Sequence, residues 1–182
     1  ALGALLAAQP IGLVPAAAEP DRHGRLAVHA FFPDGRLVQA VLLATGHARA
    51  RFLEGEDGCR DALLAAERSA RRAGRGLWSG PETAIWNAED SSLAERNGLY
   101  GLVAGRVLSV GTGTRMVFLD FGRNYRQDFT VLIPPAVVKA LAGQGVAVEA
   151  LEGRRVLVRG VIEESGGPAI RLGHPADIEL LD

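Results

Sequence analysis

Several kinds of chemistry are excluded by what this chain lacks. Cys59 is its only cysteine, so no intrachain disulfide can form, and a structural role is expected for it. The four histidines, His23, His29, His47 and His174, show no spacing that would hold zinc. No run approaches the about 18 apolar residues of a membrane-spanning helix, so neither a membrane span nor a membrane partner is expected. A net charge of −1 provides no bulk field to draw in a polyanion. Lysine is nearly absent: Lys139 is the only one among 20 basic residues, and the other 19 are arginine. No acidic residue precedes Glu19, so the first stretch of chain offers no carboxylate to a hard cation.

What is present is an ordinary folding composition. The 182 residues are 48% hydrophobic and 23% charged, which suits one or two small domains. The 23 glycines and an aromatic content of 5% suit short strands and tight turns. An arginine-dominated basic set suits bidentate phosphate contacts. Leu2, Leu5 and Leu6 lie at helical spacing, Gln9-Pro10 ends that pattern, and 11–14 reads as a short strand. The opening therefore reads as the end of a helix, and the chain as a fragment or a processed product.

Residues 25–32 alternate like a strand, and Pro33-Asp34-Gly35 marks a turn. The apolar segment 37–46 fits a strand or a short helix by pattern alone. Residues 59–76 read as a helix, with Leu63, Ala66, Ala70 and Ala73 as its apolar stripe and Arg68, Arg71, Arg72 and Arg75 on the other side. The acidic run Glu54-Gly55-Glu56-Asp57 is too short for a calcium loop and complements the start of that helix. Residues 87–98 read as a linker, dividing a first block at 1–86 from a second at 99–182.

The run Asp21-Arg22-His23-Gly24-Arg25, the strand and turn after it, and the helix ending Gly76-Leu77-Trp78-Ser79 together resemble the C-terminal part of the thermonuclease, or staphylococcal nuclease-like, family. The resemblance implies an elaborated OB-type barrel, a helix over 37–46 closed by Gly46, and phosphodiester hydrolysis of nucleic acid. It makes Arg25 the catalytic arginine, which stabilises charge on the phosphate under attack. Arg22 matches a basic position and His23 stands where tyrosine is usual, so these two are expected to contact nucleic acid. Phe52 stands where another tyrosine is frequent. The resemblance also implies Ca2+, but its acidic ligands and a second catalytic arginine would lie upstream of the motif. The nearest acids here are Glu19 and Asp21, and Asp21 reads as a turn residue. No metal ligand is therefore assigned within this chain. An exported or periplasmic setting is implied by the resemblance alone.

In the second block, 102–110, 115–121, 128–133, 155–162 and 169–172 are rich in strand formers, and 178–181 adds a short terminal strand. Pro135 opens a short helix over 135–141. Three strands, a helix and two strands is the order of an OB-type barrel. Phe118-Leu119-Asp120-Phe121-Gly122, Asp128-Phe129-Thr130, Val158-Arg159-Gly160 and Gly167-Pro168-Ala169-Ile170 resemble an OB-type domain that follows nuclease-like domains. Gly105 and Gly160 mark bends inside strands. Single strands bind such barrels through aromatic and basic residues. Period-two counting sets Phe118 with Met116, and Phe121 with Val117 and Leu119, so one set is core. Tyr125, in a loop, is the expected stacking residue. Arg155 and Arg159, on one face of the fourth strand with Arg106 nearby, are the expected phosphate contacts.

The fold expected is α+β with two small OB-like β-barrel modules, the first partial. Two functions fit: a nuclease-related protein whose metal-binding half lies elsewhere, or a non-catalytic nucleic-acid- or protein-binding scaffold that keeps only the fold. The partners expected are weakly bound single-stranded nucleic acid and a second chain, or an absent N-terminal half, completing the first barrel.

Overall fold

The computed structural model describes residues 2–7, 10–16, 19–52, 58–80, 85–124 and 127–181. The chain is α+β and divides into two units, Ala1–Thr83 and Ala84–Asp182.

The first unit runs α1 (Leu2–Ala7), β1 (Gly12–Pro15), β2 (Val28–Phe31), α2 (Val38–Ala44) and α3 (Arg60–Arg72), with a 3-10 turn at Gly76–Ser79. β1 and β2 form an antiparallel pair, Gly12 opposite Phe31 and Pro15 opposite Val28. The second edge of β2 is closed by a side chain. Gln39 accepts from the Ala30 amide at 3.1 Å and donates to the Val28 carbonyl at 2.8 Å. β2 is shorter than the alternation suggests, because residues 21–25 close on themselves in a hydrogen-bonded turn.

Segment 37–46 is the helix that the family resemblance implied, and Gly46 ends it at φ 73°. Glycine is required there for a second reason. A Cβ on Gly46 would overlap the Arg75 carbonyl, and one on Gly76 would overlap the Gly46 carbonyl. The backbones after α2 and α3 thus cross in contact, joined by the Leu77 amide donating to the Gly46 carbonyl at 2.8 Å.

The apolar stripe of α3 differs from the pattern reading. Leu64, Glu67 and Ala70 are the buried positions, Leu63 and Ala66 are half-buried, and Ala73 is exposed beyond the helix end. The helix is rotated by one residue, because Glu67 turns inward and its Oε1 accepts from the Ala50 amide at 2.7 Å. The expected acidic loop at 54–57 lies outside the described residues.

The second unit contains β4 (Tyr100–Arg106), β5 (Ser109–Thr112), β6 (Val117–Asp120), β7 (Thr130–Ile133), α4 (Pro135–Gly143), β8 (Arg155–Glu164) and β9 (Pro168–Arg171). β5 pairs with β6, β6 with β7, β7 with β9, β9 with β8, and β8 with β4. All are antiparallel except β7 with β9. β4 and β5 are halves of one segment bent at Val107 and Leu108, so the path of pairings returns to its starting segment. This is the OB-type order, strand one next to two, two to three, three to five, five to four, and four to one. The core holds Val107, Leu119, Phe129, Val131, Ile133, Val156, Val158, Ile162 and Ile170. Gly105 and Gly160 accommodate close packing: a Cβ on either would strike Phe121 and Ala88, or Ile170.

Residues 87–98, read from the sequence as a linker, lie inside this unit. Ahead of them, β3 (Trp86–Asn87) pairs in parallel with β4. The Trp86 ring occupies the space a Cβ on Gly101 would need, and the Arg96 guanidinium lies 4.7 Å from its centroid. Leu93, in a 3-10 turn at Ser91–Arg96, is fully buried in the core. The segment carries few strand or helix cues because one buried leucine and one ring hold it. Leu93→Ala should therefore destabilise the second unit by about 2–5 kcal/mol; a change within a few tenths of a kcal/mol in denaturant unfolding would contradict this packing.

Candidate functional site

In the first unit the candidate site is the turn at 21–25. The Asp21 amide donates to the Arg25 carbonyl at 2.8 Å, and the Gly24 amide to the Asp21 carbonyl at 2.9 Å, with Gly24 at φ 75°. The Asp21 carboxylate organises the rest. Oδ1 accepts from the His23 amide at 2.8 Å and the Arg25 amide at 3.0 Å. Oδ2 accepts from Arg25 Nε at 2.8 Å and lies 2.7 Å from the second guanidinium nitrogen. Asp21 is thus the turn residue expected, and it also aims Arg25. The Arg25 side chain remains 75% exposed.

The bonds from the Arg25 side chain, first, and backbone hold the Asp21 carboxyl below its ordinary pKa. Its contribution is present above the ordinary aspartate pKa and is lost as pH falls through the lower folded value. Arg22 and His23 are exposed beside Arg25, and Arg22 Nε donates to His23 Nε2 at 3.0 Å. The three residues read as a group from sequence thus come together on one solvent-facing loop.

The calcium implied by the family resemblance needs six to eight oxygen ligands. Among the described residues, no group of three or more His, Cys, Asp or Glu side chains converges. Asp21 is committed to its turn. The described residues therefore do not fit the ion, and no step is derived through it.

The second unit corrects one candidate and moves the emphasis to others. Arg159 is not a surface contact. Its side chain is 1% exposed and pairs with Glu179, itself 5% exposed. β10 (Ile178–Leu180) pairs with β8 and sets Glu179 opposite Leu157, on the face that Arg159 shares with Leu157. Just before β10, Asp177 is largely buried, and burial raises its pKa despite the amides of Gly173 and His174 at 2.9 and 2.8 Å. A raised carboxyl favours the fold most at low pH and loses that contribution as pH rises through the folded value.

Arg155 stays exposed at the start of β8, directly across from Arg106. Tyr125 lies outside the described residues. Phe121 and Phe129 are core, their centroids 5.2 Å apart, so the other set, with Phe118, faces out. Phe118 lies in one cross-strand row with Leu132 and Arg171. Arg171 also pairs with Glu163 at 3.1 Å. Alternation in the sequence held the signal for Phe118, but only the fold shows which set turns inward. Arg171 gave no motif and was missed.

Residues 9–80 match the family model described as staphylococcal nuclease homologue, a span that contains the whole 21–25 turn. No curated protein matches the chain. Among solved structures, the chain is similar to OBody AM1L10 bound to hen egg-white lysozyme, at 22% identity over 57% of this chain and 97% of that one, with a TM-score of 0.37. A second OBody, AM3L09 bound to hen egg-white lysozyme, gives 18% identity over 57% and 98%, with a TM-score of 0.38. Asparaginyl-tRNA synthetase from Pyrococcus horikoshii gives 15% identity and a TM-score of 0.36, over 55% of this chain and 23% of the synthetase.

Proposed function

We propose that the chain is a nuclease-related protein that contacts nucleic-acid phosphates through the 21–25 turn. Among the described residues, no ligand set is present for the metal of a hydrolytic step. The observation that carries this reading is the exposed Arg25 guanidinium, aimed by Asp21, inside the span that matches the nuclease family. A guanidinium binds two phosphate oxygens at once, which suits the charge that builds on a phosphodiester under attack. Arg22 and His23 add contacts on the same loop. The OB-type unit adds weak single-strand binding through Arg155 and Phe118, with Tyr125 as a stacking residue.

The first unit also favours a partner. Its sheet has two described strands, and Leu13 and Val14 on β1 are 64% and 51% exposed. A two-stranded sheet is marginal alone, and a strand from another chain would complete it.

The 182-residue chain alone should release no product from single-stranded DNA or RNA in excess calcium, because its described residues offer no ligand set for the ion. Chelator-sensitive cleavage that disappears in Asp21→Ala would overturn the reading. The scaffold alternative rests on one observation: Asp21 already occupies two nitrogens of Arg25, as in an arginine kept only for its turn.

A further inference from the structure

We propose that the second unit carries a small-molecule site, separate from the nucleic-acid reading above, for an anionic headgroup on a short aliphatic body. A cleft of about 260 Å³ opens between the loop joining β5 to β6 and one face of α4. Its walls are Val117, Ile133, Val138 and Ala142. Val138 and Ala142 are one helical turn apart, so they present a continuous apolar strip.

Two cations line the same cleft, Arg115 from the loop and Lys139 from α4, and no acidic side chain does. Lys139 is the only lysine in the chain. Both side chains are exposed, and neither makes a hydrogen bond or ion pair with another described residue. Two cations with no acidic partner among the described residues, set over an apolar wall, satisfy opposite ends of an amphipathic anion: the wall takes the aliphatic body, and the cations take the head. A purely apolar ligand would leave the pair unused, and a bare anion would leave the wall wet. The cleft is small, which limits the body to a short chain.

The head is a carboxylate or a phosphate monoester, and the two are separated by using both. Amide chemical shifts of the isotopically labelled full chain would be followed during titration with hexanoate, hexyl phosphate and, as a neutral control, hexanol. The expected result is saturable shifts confined to 113–117 and 133–142 with at least one anion, and binding by hexanol at least about tenfold weaker. Hexanoate alone would mark a carboxylate ligand, and hexyl phosphate alone a phosphomonoester. Arg115→Gln and Lys139→Gln should each weaken anion binding about tenfold. Ala142→Leu, which fills the cleft, should abolish it. Both cations are on the surface, so unchanged shifts elsewhere will show that the variants fold. Hexanol binding as well as the anions, no saturable shift with either anion, or full affinity in the two glutamine variants would overturn the site.

Discussion

Glu179→Ala is expected to destabilise the second unit by about 3–5 kcal/mol, because it removes the buried carboxylate paired with the Arg159 guanidinium and leaves a cavity. Arg159 and Glu179 are 1% and 5% exposed, so solvent cannot replace the lost partner. The same loss is expected for Arg159→Ala. Their joint replacement by Met and Leu should restore most of the stability, since an apolar pair of similar volume avoids the desolvation that the ion pair carries. Denaturant unfolding of the two single variants and the double variant measures this. Single-variant losses below about 1 kcal/mol would mean that β10 is detached from β8 in solution. That outcome would return Arg159 to the surface and to the list of phosphate contacts.

The second large effect belongs to the first unit. Gly46→Val should cost more than about 3 kcal/mol and leave that unit largely unfolded. The φ of 73° is unfavourable for a β-branched residue, and the new Cβ would overlap the Arg75 carbonyl where the backbones cross. Gly35 provides the control. It has a comparable φ of 82° but no atom within 4 Å of an added Cβ, so Gly35→Ala should show the conformational cost alone, about 1–2 kcal/mol. Thermal unfolding followed by circular dichroism separates the two. Equal losses at both positions would show that the crossing is looser than the structure has it.

The strand order of the second unit could be read from sequence because its signals are local: β-branched runs, glycine turns, and a proline opening α4. Segments held by one or two distant contacts were not readable. Residues 87–98 carry little local preference, yet Leu93 places them in the core of the second unit, built from residues distant in sequence. The inward turn of Glu67 depends on an amide 17 positions away. Arg159 and Arg155 are indistinguishable by alternation, and what distinguishes Arg159 is a buried carboxylate, Glu179, brought by a distant terminal strand. The 21–25 turn was legible because its contacts lie within the five residues themselves.

The most direct test of the phosphate-contact proposal is fluorescence anisotropy of a labelled single-stranded oligonucleotide against the full chain and Arg25→Ala, at two salt concentrations. The account predicts weak binding at low salt that Arg25→Ala reduces about tenfold, with a log–log salt slope shallower by about 0.7. Binding with the same affinity and slope in Arg25→Ala would contradict it, and would leave Arg25 as the arginine of a structural turn.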